Sequence, residues 1–363
     1  MRGLLSRNRY FVATAVGVGV LSTVLAACGG GHTAKLSVPA TTTSTTTSTT
    51  LAPAATPALV PATCPLTGAP PPGGKVPQRP ALAVKMDNLA AARPQYGLSA
   101  ADIVFEEPVE GGITRFIVVF QCHSAPRIEP IRSGRIIDPE IIDQLGPHPL
   151  LGFAGGIGPA VAAIDHSSLI DVGVDRAPLT AYWRDPSRYG PHNLASSTAV
   201  LYAVGQSEHA APTPPPPLFT YGPLPAGATP AASLHVAYTY SNVTWTWSPA
   251  LRAWSRSYAD TGPATMAEGG QVTAANVVVL RVVMYPSPYV EDPTGTHENL
   301  LVLTGSGPAQ VYRNGAVVSG EWVRPGLSRA TELLNAQHQV ITLSPGPTWV
   351  ELVPTTVPVG ATP

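Results

Sequence analysis

A chain of 363 residues that is 44% hydrophobic is long enough for two or three domains with real cores, and its 41 prolines and 34 glycines point to many turns, loops and linkers. The formal net charge is −1, only 12% of residues are charged and no basic stripe is visible, so a nucleic-acid partner is excluded. Lysine occurs only at positions 35, 75 and 85, which rules out a Ser-x-x-Lys nucleophile.

The chain opens with Arg2, Arg7 and Arg9, a nearly uninterrupted apolar run, and then Leu25-Ala-Ala-Cys28 followed by three glycines. That is the layout of a secretory signal over residues 1–28. The Leu-Ala-Ala-Cys ending resembles a bacterial lipobox, in which the Cys28 thiol takes a diacylglyceryl group and becomes the mature N-terminus. The alternative is an uncleaved transmembrane anchor, since the run is nearly long enough to span. Residues 29–61, with their Thr/Ser run, cannot bury a core and read as a flexible tether. With Cys28 lipidated, Cys64 and Cys122 remain as an even pair in an oxidising compartment. A disulfide, two buried thiols, or a catalytic thiol at Cys122-His123 all fit that count.

Residues 62–206 read as an α/β domain. Strands are expected at 81–86, 103–106 and 113–120, the last two joined as a hairpin across Gly111-Gly112. Asp138 followed by Pro139 predicts an N-capped helix, and residues 150–165 predict a strand, a Gly-rich turn and a second helix. A last helix starts near Ser196. Two strand–helix alternations argue for some parallel pairing. Residues 207–231, with Pro214 to Pro217, read as a linker. From 232 to 356 the pattern turns to mostly antiparallel β, clearest where Val243, Trp245 and Trp247 alternate with Thr244 and Thr246. Arg313-Asn314-Gly315-Ala316 predicts a tight hairpin, and 357–363 reads as a tail. Overall the expected fold is mixed α/β and α+β, an α/β domain followed by a β-rich one.

The stretches ARPQYGLSAADIVFE, VEGGITRF, PIRSGR, WRDPSRYGPHNL, LTGSGPAQVYRNGAVVSGEW and LSPGPTWVEL resemble, in the same order, those of the YerB-like bacterial lipoprotein family. The likeness covers roughly residues 64–205 and 233–354, and it departs from the family pattern at Gly134, where alanine is expected. The resemblance implies a lipid-anchored envelope protein of two domains. It brings no activity with it.

Three constellations could carry chemistry. Arg115, Arg132, Ser133 and Arg135 could hold a carboxylate or phosphate bidentately, with Glu106 and Glu110 orienting them; the alternative is a structural ion-pair network at a sheet end. The Gly155-Gly156-Ile157-Gly158-Pro159 turn before a helix could meet an anion, though Val161 stands where a dinucleotide fingerprint wants glycine. Trp183, Arg184, Asp185, Arg188, His192 and Asn193 place an aromatic plate, guanidiniums, a carboxylate and an imidazole on one loop. Metal chemistry is not expected: no zinc spacing appears, and HENLL at 297–301 lacks the second histidine of a zinc protease. No nucleophile elbow and no cofactor fingerprint appear either. The reading is an extracytoplasmic protein anchored by lipid to the outer face of the cytoplasmic membrane, a binding or scaffold module for an anionic cell-wall ligand such as a muropeptide. The alternatives are a glycan hydrolase using Glu106 or Glu110 with Asp185 or His192, and an accessory lipoprotein whose partner is another envelope protein.

Overall fold

The computed structural model describes residues 62–363, so the expected signal 1–28, the lipidation site Cys28 and the tether 29–61 lie outside the described residues. The β-branched and aromatic runs of the first half become β1 (Leu82–Asp87), β2 (Ile103–Pro108) and β3 (Thr114–Phe120). β2 and β3 pair as the expected hairpin. Gly111 and Gly112 turn the chain at φ 71° and 74°, where a side chain would be strained. Next come α1 (Asp138–Ile142), β4 (Leu150–Gly152), α2 (Gly158–Asp165) and β5 (Ile170–Asp171). β6 (Trp183–Arg184) and β7 (Leu194–Ala195) form a small ribbon before α3 (Thr198–Ser207), whose start is capped by Ser197 accepting from the Val200 N–H at 3.3 Å. Asp138 is not a cap: it is the first residue of α1, and its carboxylate turns back to accept from the Arg135 N–H at 2.9 Å and to pair with Lys85.

The second half supplies β8 (Thr229–Pro230), β9 (Ser233–Val236), β10 (Val243–Ser248), β11 (Ala253–Tyr258), β12 (Gly262–Pro263), β13 (Thr273–Ala274) and β14 (Asn276–Val282). It continues with β15 (Met284–Val290), β16 (His297–Leu301), β17 (Gly305–Arg313), β18 (Ala316–Arg324), β19 (Glu332–Asn335), β20 (Thr348–Pro354) and β21 (Val359–Thr362). Asn314 and Gly315, at φ 50° and 69°, close the β17–β18 hairpin where the sequence places a turn.

An eleven-stranded sheet runs β19-β18-β17-β14-β20-β2-β3-β1-β4-β5, with β8 added on β18. Strands of both halves build it, and the join is β20, parallel to β14 on one side and to β2 on the other. A second sheet, β12-β11-β10-β9-β21 with β13 on β11, packs on one face. Met86, Val104, Phe116, Val118, Val277 and Trp349 meet Trp245 and Trp254 there. Ala83, Phe105, Ile117, Val278 and Leu352 point to the opposite face, against Ile141 and Ile142 of α1 and Ile164 of α2. Burial on both faces is why the central strands read as unbroken apolar runs.

Several expectations change. The described residues are mostly β. β1–β4 and β4–β5 do pair in parallel, but the helices beside them span only 5, 8 and 10 residues, so the first half is a mixed sheet with short helices and not a full α/β layer. Residues 207–231 bury Leu218 and Phe219, and the Tyr221 hydroxyl donates to the Leu66 carbonyl at 2.6 Å. Residues 357–363 include β21, which pairs with β9. The described residues form one compact unit, and none of their helices is long and apolar enough to cross a membrane.

Cys64 and Cys122 are joined by a disulfide across 58 residues, which excludes a free thiol at either position. A closed loop of that length removes about 4 kcal/mol of unfolded-chain entropy. Replacing both cysteines by alanine is expected to lower urea-unfolding stability by about that amount. A loss below about 1 kcal/mol would show that the loop is held without the bond.

Candidate functional site

The charges concentrated beside the core lie at one end of β1, β2 and β3. Register places Arg115 of β3 between Asp87 of β1 and Glu107 of β2. Period-2 alternation sends Lys85, Asp87, Glu107 and Arg115 to one face and Glu106 to the other, so two separate networks form.

On the first face Lys85 is fully buried between Glu107 and Asp138. Burial pushes its ammonium down to about 8, against the opposing pull of Asp138. Arg115, also buried, donates to the Ser133 carbonyl at 3.3 Å and lies 3.7 Å from Glu110. Burial and the neighbouring Arg135 push its guanidinium down to about 10. Arg135 is gripped by Glu110, Nε to Oε2 at 2.8 Å with Nη2 on Oε1, and its Nη2 also reaches Glu291 at 2.8 Å. Burial works to raise the Glu110 carboxyl, yet Arg135 outweighs it and holds it below the usual carboxylate range. Arg115 and Arg135, expected to hold a ligand, are therefore already matched by acids within the fold.

Arg132 differs. Its side chain is 20% exposed and pairs with Asp87, Nε to Oδ2 at 3.0 Å. The same Oδ2 meets His192 Nδ1 at 2.7 Å, and His192 is 16% exposed. Buried Asp87 thus brings the Arg132 and His192 motifs to one place. The third motif meets them through the backbone: the Gly134 N–H donates to the Gly155 carbonyl and the Ala154 N–H to the Arg132 carbonyl, each at 2.9 Å. Sequence reading missed Asp87; its only signal is a carboxylate closing an apolar strand.

The loop after β6 is pinned from below. Asp185 takes Ser187 Oγ at 2.7 Å and the Ser187 N–H at 2.8 Å, and pairs with Arg127. These contacts, Ser187 first, hold its carboxyl down at about 2. Arg188 donates to the Ala92 and Pro94 carbonyls, and Asn193 accepts from Arg184 at 2.8 Å. Trp183 stays 40% exposed, and Arg184 is exposed beside it. The pockets elsewhere have largely apolar or proline-rich linings, for example Phe105, Leu280 and Trp322, or Pro216, Pro217 and Pro325. Arg132 and His192 are partly exposed and Trp183 is exposed.

On the opposite face Glu106 is fully buried. It meets Arg256 Nη2 at 2.7 Å and accepts from Thr114 Oγ1 at 2.7 Å and Trp349 Nε1 at 3.1 Å. Its register partner Glu351 accepts from Trp245 Nε1 at 2.8 Å, Arg256 Nη1 at 3.1 Å and the Tyr238 hydroxyl at 3.2 Å. Trp245, Trp254, Trp322 and Trp349 are core side chains.

Comparison with known proteins matches residues 66–211 to the family described as "Protein of unknown function (DUF3048) N-terminal domain" and residues 234–350 to the corresponding C-terminal domain. The chain is 26% identical over 290 residues to the Bacillus subtilis (strain 168) protein named "Putative lipoprotein YerB", covering 77% of this chain and 83% of the relative. The crystal structure of the YerB protein from Bacillus subtilis superposes with a TM-score of 0.70 at 21% identity, covering 82% of this chain and 99% of that one, and so shares the fold.

Burial first, then Glu106, pushes the Glu351 carboxyl up to about 8 against the pull of Arg256. Its folded value lies above its unfolded one, so its contribution to stability is full below the ordinary carboxylate range and is lost as pH rises through 8. Arg256→Met strands both carboxylates and is expected to cost about 3–5 kcal/mol at pH 8. The loss should shrink at pH 5, where the raised Glu351 carboxyl holds its proton. Urea unfolding at both pH values checks this, and a small, pH-independent loss would remove the triad as a clamp.

Proposed function

The chain belongs to the two-part DUF3048 family, and on that footing we propose that it is a lipid-anchored extracytoplasmic module that binds an anionic cell-wall ligand on the face of Arg132, Ser133 and His192. The Leu25-Ala-Ala-Cys28 motif and the relative's name as a lipoprotein support the anchor at Cys28. The observation that carries the binding reading is the double contact of Asp87. One buried carboxylate orients a partly exposed guanidinium and a partly exposed imidazole side by side.

The loop that carries His192 also exposes Trp183 and Arg184, a plate for a sugar face and a second cation for a carboxylate, with Arg184 on Asn193 next to His192. A muropeptide carries both chemistries, which makes a cell-wall fragment the favoured ligand class. The hydrolase alternative draws less support. Glu106 is sealed beneath two sheets, Glu110 is bound by Arg135, and Asp185 is held ionised by Ser187 and Arg127. A general acid needs a carboxyl whose proton is retained near neutral pH and can be delivered to substrate.

Residues 62–363, titrated with purified muropeptides, are expected to bind at low salt and to lose affinity as salt is raised. Arg132→Ala should weaken binding by about tenfold or more, the worth of one charge-assisted contact. Unchanged binding by both Arg132→Ala and Trp183→Ala would overturn this face as the site. Cleavage products that vanish in Glu110→Gln would favour the hydrolase instead.

A further inference from the structure

The β15–β16 ribbon belongs to neither large sheet. Met284 and Leu301 on its underside join the core of the α1 face. Asn299 Nδ2 donates to the Val109 carbonyl at 2.8 Å. The ribbon's remaining polar fastening is a cluster that the proposed binding face does not use.

Glu291, just after β15, reaches Arg135 Nη2 at 2.8 Å. Glu298 of β16 accepts from the Ile136 N–H through Oε2 at 2.9 Å, but its Oε1 lies 3.8 Å from Arg135 Nε, beyond hydrogen-bond reach. The other Arg135 donors serve Glu110 and the Gly134 carbonyl. The charged groups facing this cluster are Arg135 from the loop before α1, Arg115 from β3, Glu110 from the β2–β3 turn, and Glu291 and Glu298 from the ribbon. Lys85 with Glu107 and Asp138 forms a separate group behind Arg115 and Arg135. His297 points elsewhere, its Nδ1 on the Ser287 carbonyl.

Three carboxyls therefore face two guanidiniums. Glu291 Oε2 and Glu298 Oε1 are both buried and receive no donor. The two carboxyl groups converge on one guanidinium, Glu291 at 2.8 Å and Glu298 at 3.8 Å from Arg135 nitrogens. Two ionised carboxylates in that position repel at short range in a medium of low dielectric. A single proton between them pairs both orphaned oxygens and leaves the cluster neutral.

We infer that Glu291 and Glu298 share one proton, and that this proton latches the β15–β16 ribbon to the Arg135–Ile136 loop, so that the ribbon loosens as pH rises. Burial, and then Glu291, raise the Glu298 carboxyl to about 7 against the Ile136 N–H. The folded value exceeds the unfolded 4.5, so the latch is fully closed at and below that pH and is lost as pH climbs through 7. Release breaks the Glu291 contact to Arg135 and the Glu298 contact to the Ile136 N–H, and uncovers Met284 and Leu301.

The test is hydrogen–deuterium exchange by mass spectrometry on the full-length chain in detergent between pH 5 and 8, corrected for intrinsic exchange. Protection of the amides from 284 to 301, relative to those of β10 and β11, is expected to fall about tenfold per pH unit between roughly 5 and 7, the signature of one proton lost on opening. Glu298→Gln carries a permanent donor to Glu291 and should abolish that slope while keeping the ribbon protected at pH 8. If Glu298→Gln does not fold, Glu291→Gln, which places the donor on the other partner, is read in the same way. A flat wild-type profile, or a slope that survives in the folded glutamine variant, overturns the latch.

Discussion

Arg256 is the cation on which the architecture turns. It projects from β11 of the second sheet into the space above the large one and meets Glu106 of β2 and Glu351 of β20. Those two glutamates stand side by side in register, one from each half of the sequence. Phe116, Trp245, Tyr258 and Trp349 surround the guanidinium at 4.7 to 5.5 Å, so its donors have no water to turn to. Such a triad adds little net stability compared with apolar side chains of the same shape, and its worth lies in what it forbids. Sliding β20 by one residue against β2 would place Glu351 on the wrong face and leave Arg256 half paired. The ions thus fix the register where the two halves meet.

Local structure was legible in the sequence because local chemistry dictates it. Gly111-Gly112 and Asn314-Gly315 name their turns, and a helix does start close to Ser196, one residue later with Ser197 as its cap. Strand adjacency was not legible, since nothing in TWVELV says that it lies between a strand some 70 residues before it and another some 240 before it. The proline-rich stretch 207–231 misled for a related reason. Prolines end local elements, but Leu218, Phe219 and Tyr221 still find apolar and carbonyl partners across the fold. The short helices were over-read as a layer because periodicity shows a buried side chain and not how much of a sheet it covers.

The same limit governs the site. Arg115, Arg132 and Arg135 look alike in sequence, three guanidiniums near a serine. Only the fold distinguishes them, because the acids that satisfy Arg135 include Glu291 from a ribbon more than 150 residues away. What remains at the surface is Arg132, set apart by sharing Asp87 with His192. The charge beside the core, at Glu106, Glu107 and Glu110, lies on two faces. Glu106 fastens sheet to sheet, while Glu107 and Glu110 neutralise cations beneath the surface.

The disulfide also sets a path for mechanical load. Cys64 lies at the start of the described unit, and Cys122 lies just beyond β3, a strand hydrogen-bonded on both sides within the large sheet. A pull on the chain upstream of Cys64 passes through the sulfur bridge directly to the end of β3. The 57 residues between the two cysteines, β1 and β2 among them, lie outside that path and carry no tension while the bridge is intact. To yield, β3 must shear along its length against β1 and β2, breaking many backbone hydrogen bonds at once. Without the bridge, the same pull would straighten the loop before β1 and then draw on β1. The cross-link therefore passes a load from upstream of Cys64 to a strand paired on both sides, as suits a body held at one end to a surface.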